Sequence, residues 1–265
     1  MYKRQADIRK EGTHFDLPLA VGILAASQQV DQARLKDYII LGELSLDGSV
    51  KAVKGVLPMA QCAKESGFKG VIVPKENAAE AAVVEGLDVL PAADLNSLVS
   101  YLNGSEEILP FKRDLSLNLS GSREQQGLNF AQVKGQEAVK RALLIASAGS
   151  HNLLMVGAPG SGKTMLARRL PTILPAMTLE ESIQTTKVYS IVGKTGVKGG
   201  LIRTRPFRSP HHTISDIALI GGGASPKPGE ISLAHNGVLF LDELPEFKRH
   251  VLEAVSYTHL RAHET

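Results

Sequence analysis

A stretch near the middle of the chain, residues 156–164, has the residue types and spacing of a phosphate-binding loop. It reads Val-Gly-Ala-Pro-Gly-Ser-Gly-Lys-Thr and fits G-x-x-x-x-G-K-[ST] at every fixed position. Glycines let backbone N–H groups curl around a phosphate, and a helix N-terminus favours the same anion. Lys163 can reach the β- and γ-phosphates of a nucleotide, and Thr164 can ligate Mg²⁺. ATP and Mg²⁺ are therefore the predicted cofactors, and the predicted nucleotide-binding residues are Gly157, Ala158, Pro159, Gly160, Ser161, Gly162, Lys163 and Thr164.

The flanking residues provide the strand–loop–helix context that this motif requires. Residues 153–156 (Leu-Leu-Met-Val) form an apolar run that predicts a buried strand. Residues 165–170 (Met-Leu-Ala-Arg-Arg-Leu) predict a helix after the loop. A chance glycine-rich turn is the alternative interpretation.

A second element supplies the carboxylates that such a loop needs. Residues 238–241 (Val-Leu-Phe-Leu) are a short apolar run typical of a central parallel strand, and Asp242 and Glu243 follow directly. Asp242 can hold Mg²⁺ through water, and Glu243 can act as general base on the attacking water. The predicted catalytic residues are Lys163, Asp242 and Glu243, and the predicted metal ligands are Thr164 and Asp242. A strand that ends in a solvated acidic turn is the alternative.

Composition narrows the class of protein. The chain has 265 residues, 43% of them hydrophobic, which supports a packed core in one or two domains. The net charge of +3 is mildly basic and does not by itself predict a nucleic-acid partner. A single cysteine, Cys62, excludes an intramolecular disulfide and fits a cytoplasmic protein. No apolar run approaches the roughly 20 residues of a membrane span, so no membrane partner is expected.

The first part of the chain, residues 1–104, predicts one domain that mixes helices and strands. Asp47-Gly48 is a hairpin turn signal between strand-like segments. Gly67 fits the position just past a helix C-terminus. The predicted helices are 16–26, 56–65, 78–84 and 94–102, and the predicted strands are 38–44, 50–53, 71–74 and 87–90.

Residues 15–20, 41–48 and 73–77 of this domain resemble the Lon-protease-type domain at the front of magnesium-chelatase-like ATPases. The resemblance implies a Lon-protease-like (ribosomal S5 domain 2-like) α+β fold. In the protease a Ser–Lys dyad does the chemistry, and the matching positions here hold Leu19 and Met59. Neither side chain can act as nucleophile or base, so the resemblance implies the fold without proteolysis. Both side chains are expected in the apolar core.

Residues 105–127 are polar and rich in Gly and Ser, which predicts a linker. The nucleotide domain is predicted over residues 128–254. In AAA+ ATPases a turn similar to residues 133–136 touches the adenine; an ordinary helix entry is the alternative here. Residues 221–229 predict an exposed glycine-rich hairpin. His211 and His212 lack further ligands at metal-site spacing, so packing or a turn is expected rather than a metal site.

The segment between Ser182 and Ser215 is basic and contains no acidic residue. Such a segment suits sequence-independent contact with a nucleic-acid backbone. A solvated surface, or contact with a neighbouring subunit's nucleotide, is the alternative. The basic residues are Lys187, Lys194, Lys198, Arg203, Arg205 and Arg208.

Residues 206–215 and 221–247 resemble the YifB/ComM group of magnesium-chelatase-like AAA+ ATPases, and the likeness covers about residues 6–254. It implies a P-loop AAA+ doubly wound parallel sheet, here truncated, together with ATP hydrolysis, a homo-hexamer and DNA as partner through branch migration. A chelatase-type motor for Mg²⁺ insertion into a porphyrin, and a non-catalytic regulatory or scaffold protein, are the alternatives.

The two ends of the chain depart from this group. Residues 1–5 and 255–265 do not resemble it, and 255–265 are expected to be a non-native tail. The group's sensor motifs, arginine finger and helical lid are expected after Glu253, where this chain no longer resembles the group. This chain alone is therefore expected to bind ATP with little turnover.

Overall fold

The computed structural model describes residues 13–112, 127–195, 200–224, 226–249 and 252–253. The leader 1–5, most of the predicted linker, Lys198 and the tail 255–265 lie outside the described residues. The chain divides into two units. The front unit comprises Met1–Arg113 and Gly193–Leu201, and the nucleotide unit comprises Asp114–Val192 and Ile202–Thr265.

The front unit alternates helices with strands, as its hydrophobic pattern predicts. In chain order its elements are α1 Asp16–Ala26, β1 Tyr38–Ile40, β2 Glu43–Leu44, β3 Val50–Lys51, α2 Val56–Glu65, β4 Gly70–Pro74, α3 Ala78–Ala81, β5 Asp88–Ala92 and α4 Leu95–Leu102.

A three-stranded parallel sheet of order β1-β4-β5 is the centre of this unit. Successive side chains of β4 point to opposite faces. Val71 and Val73 pack with α2 and α3 in one apolar cluster, and Ile72 packs with α1 and α4 in another. Helices therefore cover both faces, which explains why β4 is buried along its whole length.

The predicted hairpin forms as the antiparallel pair β2–β3. Gly48 at its turn has φ +83°, a conformation that favours glycine. The Asp47 carboxylate accepts hydrogen bonds from both the backbone N–H and the hydroxyl of Ser49. Gly67 also has a positive φ, of +79°, just past the end of α2, as predicted.

The two residues at the Lon dyad positions differ in burial. Met59 packs against the cluster under α2, as expected. Leu19 is 63% exposed, so its predicted place in the core is wrong. The physical reason is the phase of α1: Leu17 and Val21 face the sheet and are buried, which turns Leu19 to the outer side.

The nucleotide unit has short strands between helices. Its elements are α5 Glu137–Ala148, α6 Lys163–Arg169, α7 Leu179–Ile191, β6 Phe207–Arg208, α8 Asp216–Ile220, β7 Gly221–Gly222, β8 Lys227–Pro228, α9 Glu230–Leu233 and β9 Val238–Leu239.

Two strand pairs organise this unit. β6 and β9 are parallel, with Phe207 opposite Val238, and Phe240 N donates to Arg208 O at 2.8 Å beyond the paired residues. β7 and β8 are antiparallel and confirm the predicted glycine hairpin. The predicted strand 238–241 is thus present in its first half.

The predicted buried strand at residues 153–156 is wrong. Leu154 is 74% exposed and Val156 89%, and the segment has no strand assignment. In the described part of this unit the parallel pairing is confined to β6 and β9. Without a neighbouring strand and a covering layer, an apolar run has neither a hydrogen-bonding ladder nor a buried face.

No helix in the described residues is long and apolar enough to cross a membrane.

Candidate functional site

The phosphate-loop motif folds as a turn that leads directly into α6. Gly160 and Gly162 have φ of +77° and +89°, which side-chain-bearing residues rarely adopt. Lys163 is the first residue of the helix. Its ammonium group donates to the carbonyl oxygens of Gly157 at 2.7 Å and Ala158 at 2.9 Å. The lysine therefore lies across the loop that the sequence predicts to hold phosphates.

The two predicted metal ligands are in direct contact. Thr164 Oγ1 donates to Asp242 Oδ2 at 2.8 Å across a sequence separation of 78 residues. Thr164 is in the first turn of α6, and Asp242 follows β9. A threonine hydroxyl and an aspartate carboxylate are hard oxygen donors of the kind that Mg²⁺ prefers. The chemistry of the pair fits the predicted ion.

Glu243 is at a tight turn next to this pair. Its φ of +55° is in the left-handed region, and its backbone N–H donates to Asp242 Oδ1 at 3.1 Å. The side chain is 65% exposed, and its Oε2 lies 3.1 Å from Nδ1 of His212. Two of the predicted catalytic residues therefore have different partners: Asp242 contacts α6, whereas Glu243 contacts a histidine.

His212 is a residue of the site that sequence reasoning missed. Its adjacent pair with His211 suggested packing or a turn, and no spacing linked it to Glu243. The signal lay in topology, because His212 follows β6 and Glu243 follows β9. The carboxyl ends of parallel strands meet at one edge of a sheet, so residues just beyond both strands come together.

The turn at residues 133–136 also reaches the phosphate loop. Gln136 Nε2 donates to Ser161 O at 3.2 Å, and Val133 is buried. Val133 packs with Leu166 of α6 in one apolar cluster. The segment that sequence reasoning proposed as an adenine contact therefore adjoins the loop.

Two family models match parts of this chain. Residues 129–258 match the family described as "Magnesium chelatase, subunit ChlI", and residues 4–77 match "Subunit ChlI of Mg-chelatase". The Competence protein ComM of Haemophilus influenzae is 48% identical over 254 residues, covering 94% of this chain and 49% of that protein. The chain belongs to the YifB/ComM family of magnesium-chelatase-like AAA+ ATPases.

Other relatives of this YifB/ComM chain extend the comparison. YifB of Escherichia coli is 45% identical over 250 residues, which cover 94% of this chain and 48% of that protein. An archaeal Lon protease from Methanocaldococcus jannaschii is 35% identical over 80 residues, or 30% of this chain and 12% of that protein. The chain is thus a mixed α/β protein with a Lon-like front domain and a chelatase-like AAA+ region. It spans about half the length of the ComM and YifB relatives.

Arg205 and Arg208, which were predicted to face DNA, form ion pairs within the nucleotide unit. The guanidinium of Arg205 contacts both carboxylate oxygens of Glu181 at 3.1 Å and donates to Asn236 O at 2.8 Å. Arg208 Nη2 donates to Glu230 Oε1 at 2.6 Å. These contacts hold both arginines inside the nucleotide unit, so the segment is not a uniform strip of unpaired charge.

The electrostatics follow from these pairs. The hydrogen bond from the Thr178 backbone, and then Arg205, lower the pKa of the Glu181 carboxyl. The hydrogen bond to Glu230 raises the pKa of the Arg208 guanidinium. Lys194 is exposed, and Lys187 and Arg203 are partly exposed.

Proposed function

We propose that this chain binds ATP with Mg²⁺ at the phosphate loop and forms the front and nucleotide-binding parts of an ATP-driven motor that remodels DNA. The hydrogen bond between Thr164 and Asp242 carries the nucleotide part of the proposal. It joins the two motifs that sequence reasoning assigned to one ion, although they are 78 residues apart.

Each residue has a distinct role in this proposal. Lys163 leaves the carbonyl oxygens of Gly157 and Ala158 and binds the β- and γ-phosphates. Thr164 and Asp242 hold Mg²⁺, which neutralises phosphate charge when bound. Glu243 accepts the proton of the attacking water as general base.

The DNA part rests on the family and on exposed features of the described residues. ComM is by its name a competence protein, and the resemblance implies branch migration by a homo-hexamer. The glycine hairpin β7–β8 is exposed at its tip, where it can reach a ligand outside the unit. Lys187, Lys194 and Arg203 are the candidate contacts to DNA phosphates. We also propose that the complete front domain has a ribosomal S5 domain 2-like fold and that the complete nucleotide domain has a doubly wound AAA+ sheet.

Two substitutions test the nucleotide roles. Lys163→Ala is expected to abolish ATP binding, because the loop loses the cation that meets the β- and γ-phosphates. Glu243→Gln is expected to retain ATP and to slow hydrolysis by roughly 10²–10⁴-fold, the usual contribution of a general base. ATP binding is measured by calorimetry on this chain, and turnover is measured on the full-length protein. Lys248→Ala, at an exposed lysine outside the loop, is the matched control.

Equal loss of ATP binding in Lys163→Ala and Glu243→Gln would contradict these roles. The same turnover assay distinguishes the motor's substrate. Stimulation by DNA supports the proposal, whereas stimulation by a porphyrin and not by DNA would favour the chelatase alternative.

A salt titration tests the DNA contacts. Removing Lys187, Lys194 or Arg203 should weaken binding to all DNA sequences alike. Each lost phosphate contact should flatten the slope of log affinity against log salt by roughly 0.7 to 0.9. An unchanged slope together with a broken oligomer would indicate that these residues bridge subunits instead.

A further inference from the structure

Arg208 connects the base of the glycine hairpin β7–β8 to the strand pair β6–β9. We infer that Arg208 is a positioning residue for this hairpin: its ion pair with Glu230 fixes the direction in which the exposed tip points. The inference rests on the proposed function in one respect only, namely that the positioned tip meets DNA. It assigns a role inside the nucleotide unit to an arginine whose charge alone suggested a DNA contact.

The ion pair between Arg208 and Glu230 has the geometry of a fork. Arg208 Nε donates to Glu230 Oε2 at 2.5 Å, and Nη2 donates to Oε1 of the same carboxylate at 2.6 Å. Two parallel hydrogen bonds fix the orientation of the two groups as well as their distance. The side chains are 28% and 19% exposed, so water competes with the pair only in part. The pair therefore restrains direction, which a fully exposed ion pair does poorly.

Both partners lie where such a restraint acts on the hairpin. Glu230 is the first residue of α9 and follows β8 after a single residue, Gly229. Arg208 is in β6, opposite Leu239 of β9, and its carbonyl oxygen accepts from Phe240 N at 2.8 Å. The ion pair thus attaches the end of the hairpin to the strand that leads to the predicted metal carboxylate.

The hairpin cannot hold its own direction. β7 consists of Gly221 and Gly222, and glycine has more backbone freedom than other residues. An isolated two-stranded hairpin is also only marginally stable in water. A Cβ atom on Gly222 would meet nothing within 4 Å, whereas one on Gly229 would lie 2.4 Å from Leu219 O. The backbone is thus closely packed at the base and open further out, so a restraint on direction has to act at the base.

The far end of α9 is held by a second contact. The Tyr189 hydroxyl of α7 donates to Leu233 O at 2.9 Å, and Leu233 is buried. A helix of a single turn has little stability of its own, so side-chain contacts hold it in place. Loss of the ion pair at Glu230 would therefore release the end of α9 next to the hairpin while the far end stays attached.

Two substitutions separate positioning from direct contact with DNA. Arg208→Lys keeps the charge but loses the fork, and Glu230→Gln removes an acidic group beside Arg208. If Arg208 contacted DNA phosphates, lysine would largely replace it and Glu230→Gln would raise DNA affinity. We expect instead that, in the full-length protein, both variants lose most of the stimulation of ATP turnover by DNA, measured as the ratio of turnover with and without DNA. Arg249→Lys, in the exposed ion pair with Glu253, is the matched control.

A fluorescent probe on the hairpin tests the positioning without DNA. In this chain Cys62→Ser removes the single cysteine, and Ala224→Cys at the exposed tip provides a new one for labelling. The anisotropy of the probe should fall in Arg208→Lys and in Glu230→Gln, because the tip moves more freely. ATP affinity, measured by calorimetry on the same proteins, should stay unchanged, because the phosphate loop is intact.

The outcomes distinguish this inference from the proposed function. Lower anisotropy together with lost stimulation supports the inference. Unchanged anisotropy, or a raised DNA affinity in Glu230→Gln, would overturn it. So would loss of ATP binding in Arg208→Lys, because the pair would then hold the whole unit and not the hairpin. Absence of DNA stimulation in the unsubstituted full-length protein would instead refute the proposed DNA function, and the anisotropy would then decide the inference by itself.

Discussion

Replacing Arg205 with methionine should destabilise the nucleotide unit, which separates the structural account of this arginine from a DNA-binding one. The Arg205 side chain is only 14% exposed and Glu181, its partner, 30%. Besides Glu181, the guanidinium donates to Pro175 O at 2.6 Å and Asn236 O at 2.8 Å. Methionine keeps the length of the buried stem but none of the donors.

The expected loss in free energy of unfolding depends on how far water can replace the contacts of Arg205. Breaking a fully buried ion pair costs about 3–5 kcal/mol, and each hydrogen bond to a charged group contributes about 1.5–3 kcal/mol. Glu181 is partly exposed and keeps its hydrogen bond from Thr178 N at 2.8 Å, so water and the helix cap recover part of the loss. We expect the free energy of unfolding of the nucleotide unit to fall by about 2–3 kcal/mol, from the lower part of these ranges.

Urea denaturation of this chain, followed by far-ultraviolet circular dichroism, measures the change. The transition of the nucleotide unit is the one that added ATP shifts to higher urea, because a ligand stabilises only the fold that binds it. Arg203→Met is the matched control, at a partly exposed arginine of the same segment. A loss below about 0.5 kcal/mol, the usual size of a surface substitution, would refute the reasoning. So would an Arg205→Met protein with normal stability and a flatter salt dependence of DNA binding.

The remaining predictions concern other parts of the chain. Asn77→Ala should lower the stability of the front unit by about 2 kcal/mol, because the buried amide bonds both the N–H and the carbonyl of Val53; urea denaturation measures it. The pKa of the Glu181 carboxyl is lower in the folded chain than its ordinary value of 4.5. Ionised Glu181 therefore stabilises the fold fully above pH 4.5, and this stabilisation is lost as the pH falls through the lower folded pKa. Glu181→Gln should therefore flatten the acid limb of a stability–pH profile; an identical limb would contradict this. Casein incubated with the full-length protein and ATP should stay intact, since Leu19 and Met59 occupy the dyad positions, and cleavage lost on changing the front domain would show otherwise.

The sequence predicted elements whose signals are local. α2 runs over Val56–Glu65 as its apolar spacing and Gly67 indicated. The hairpin at Asp47-Gly48 and the helix after the phosphate loop also form where the residues predicted them. In each case the information lies within a few neighbouring residues, so a single sequence is sufficient.

The motifs brought Thr164 and Asp242 together, but other contacts between distant residues were beyond that reasoning. Residues 153–156 have a strand composition, but whether they pair depends on partners elsewhere in the chain. Arg205 and Arg208 were grouped by charge, yet their carboxylate partners are 24 and 22 residues away. His212 was assigned to packing or a turn, since its contact with Glu243 depends on the parallel pairing of β6 with β9. Side-chain type indicates what a residue can bind, whereas topology decides which partner it has.

The contact between Thr164 and Asp242 is the centre of this account, and the Mg²⁺ dependence of ATP binding tests it most directly. Calorimetric titration of this chain with ATP, with and without Mg²⁺, should show tighter binding with the ion. Thr164→Val, which keeps the shape and removes the hydroxyl, and Asp242→Asn should each lose most of that gain while retaining ion-independent binding through Lys163. An equal gain from Mg²⁺ in the unsubstituted chain and in both variants would contradict the account.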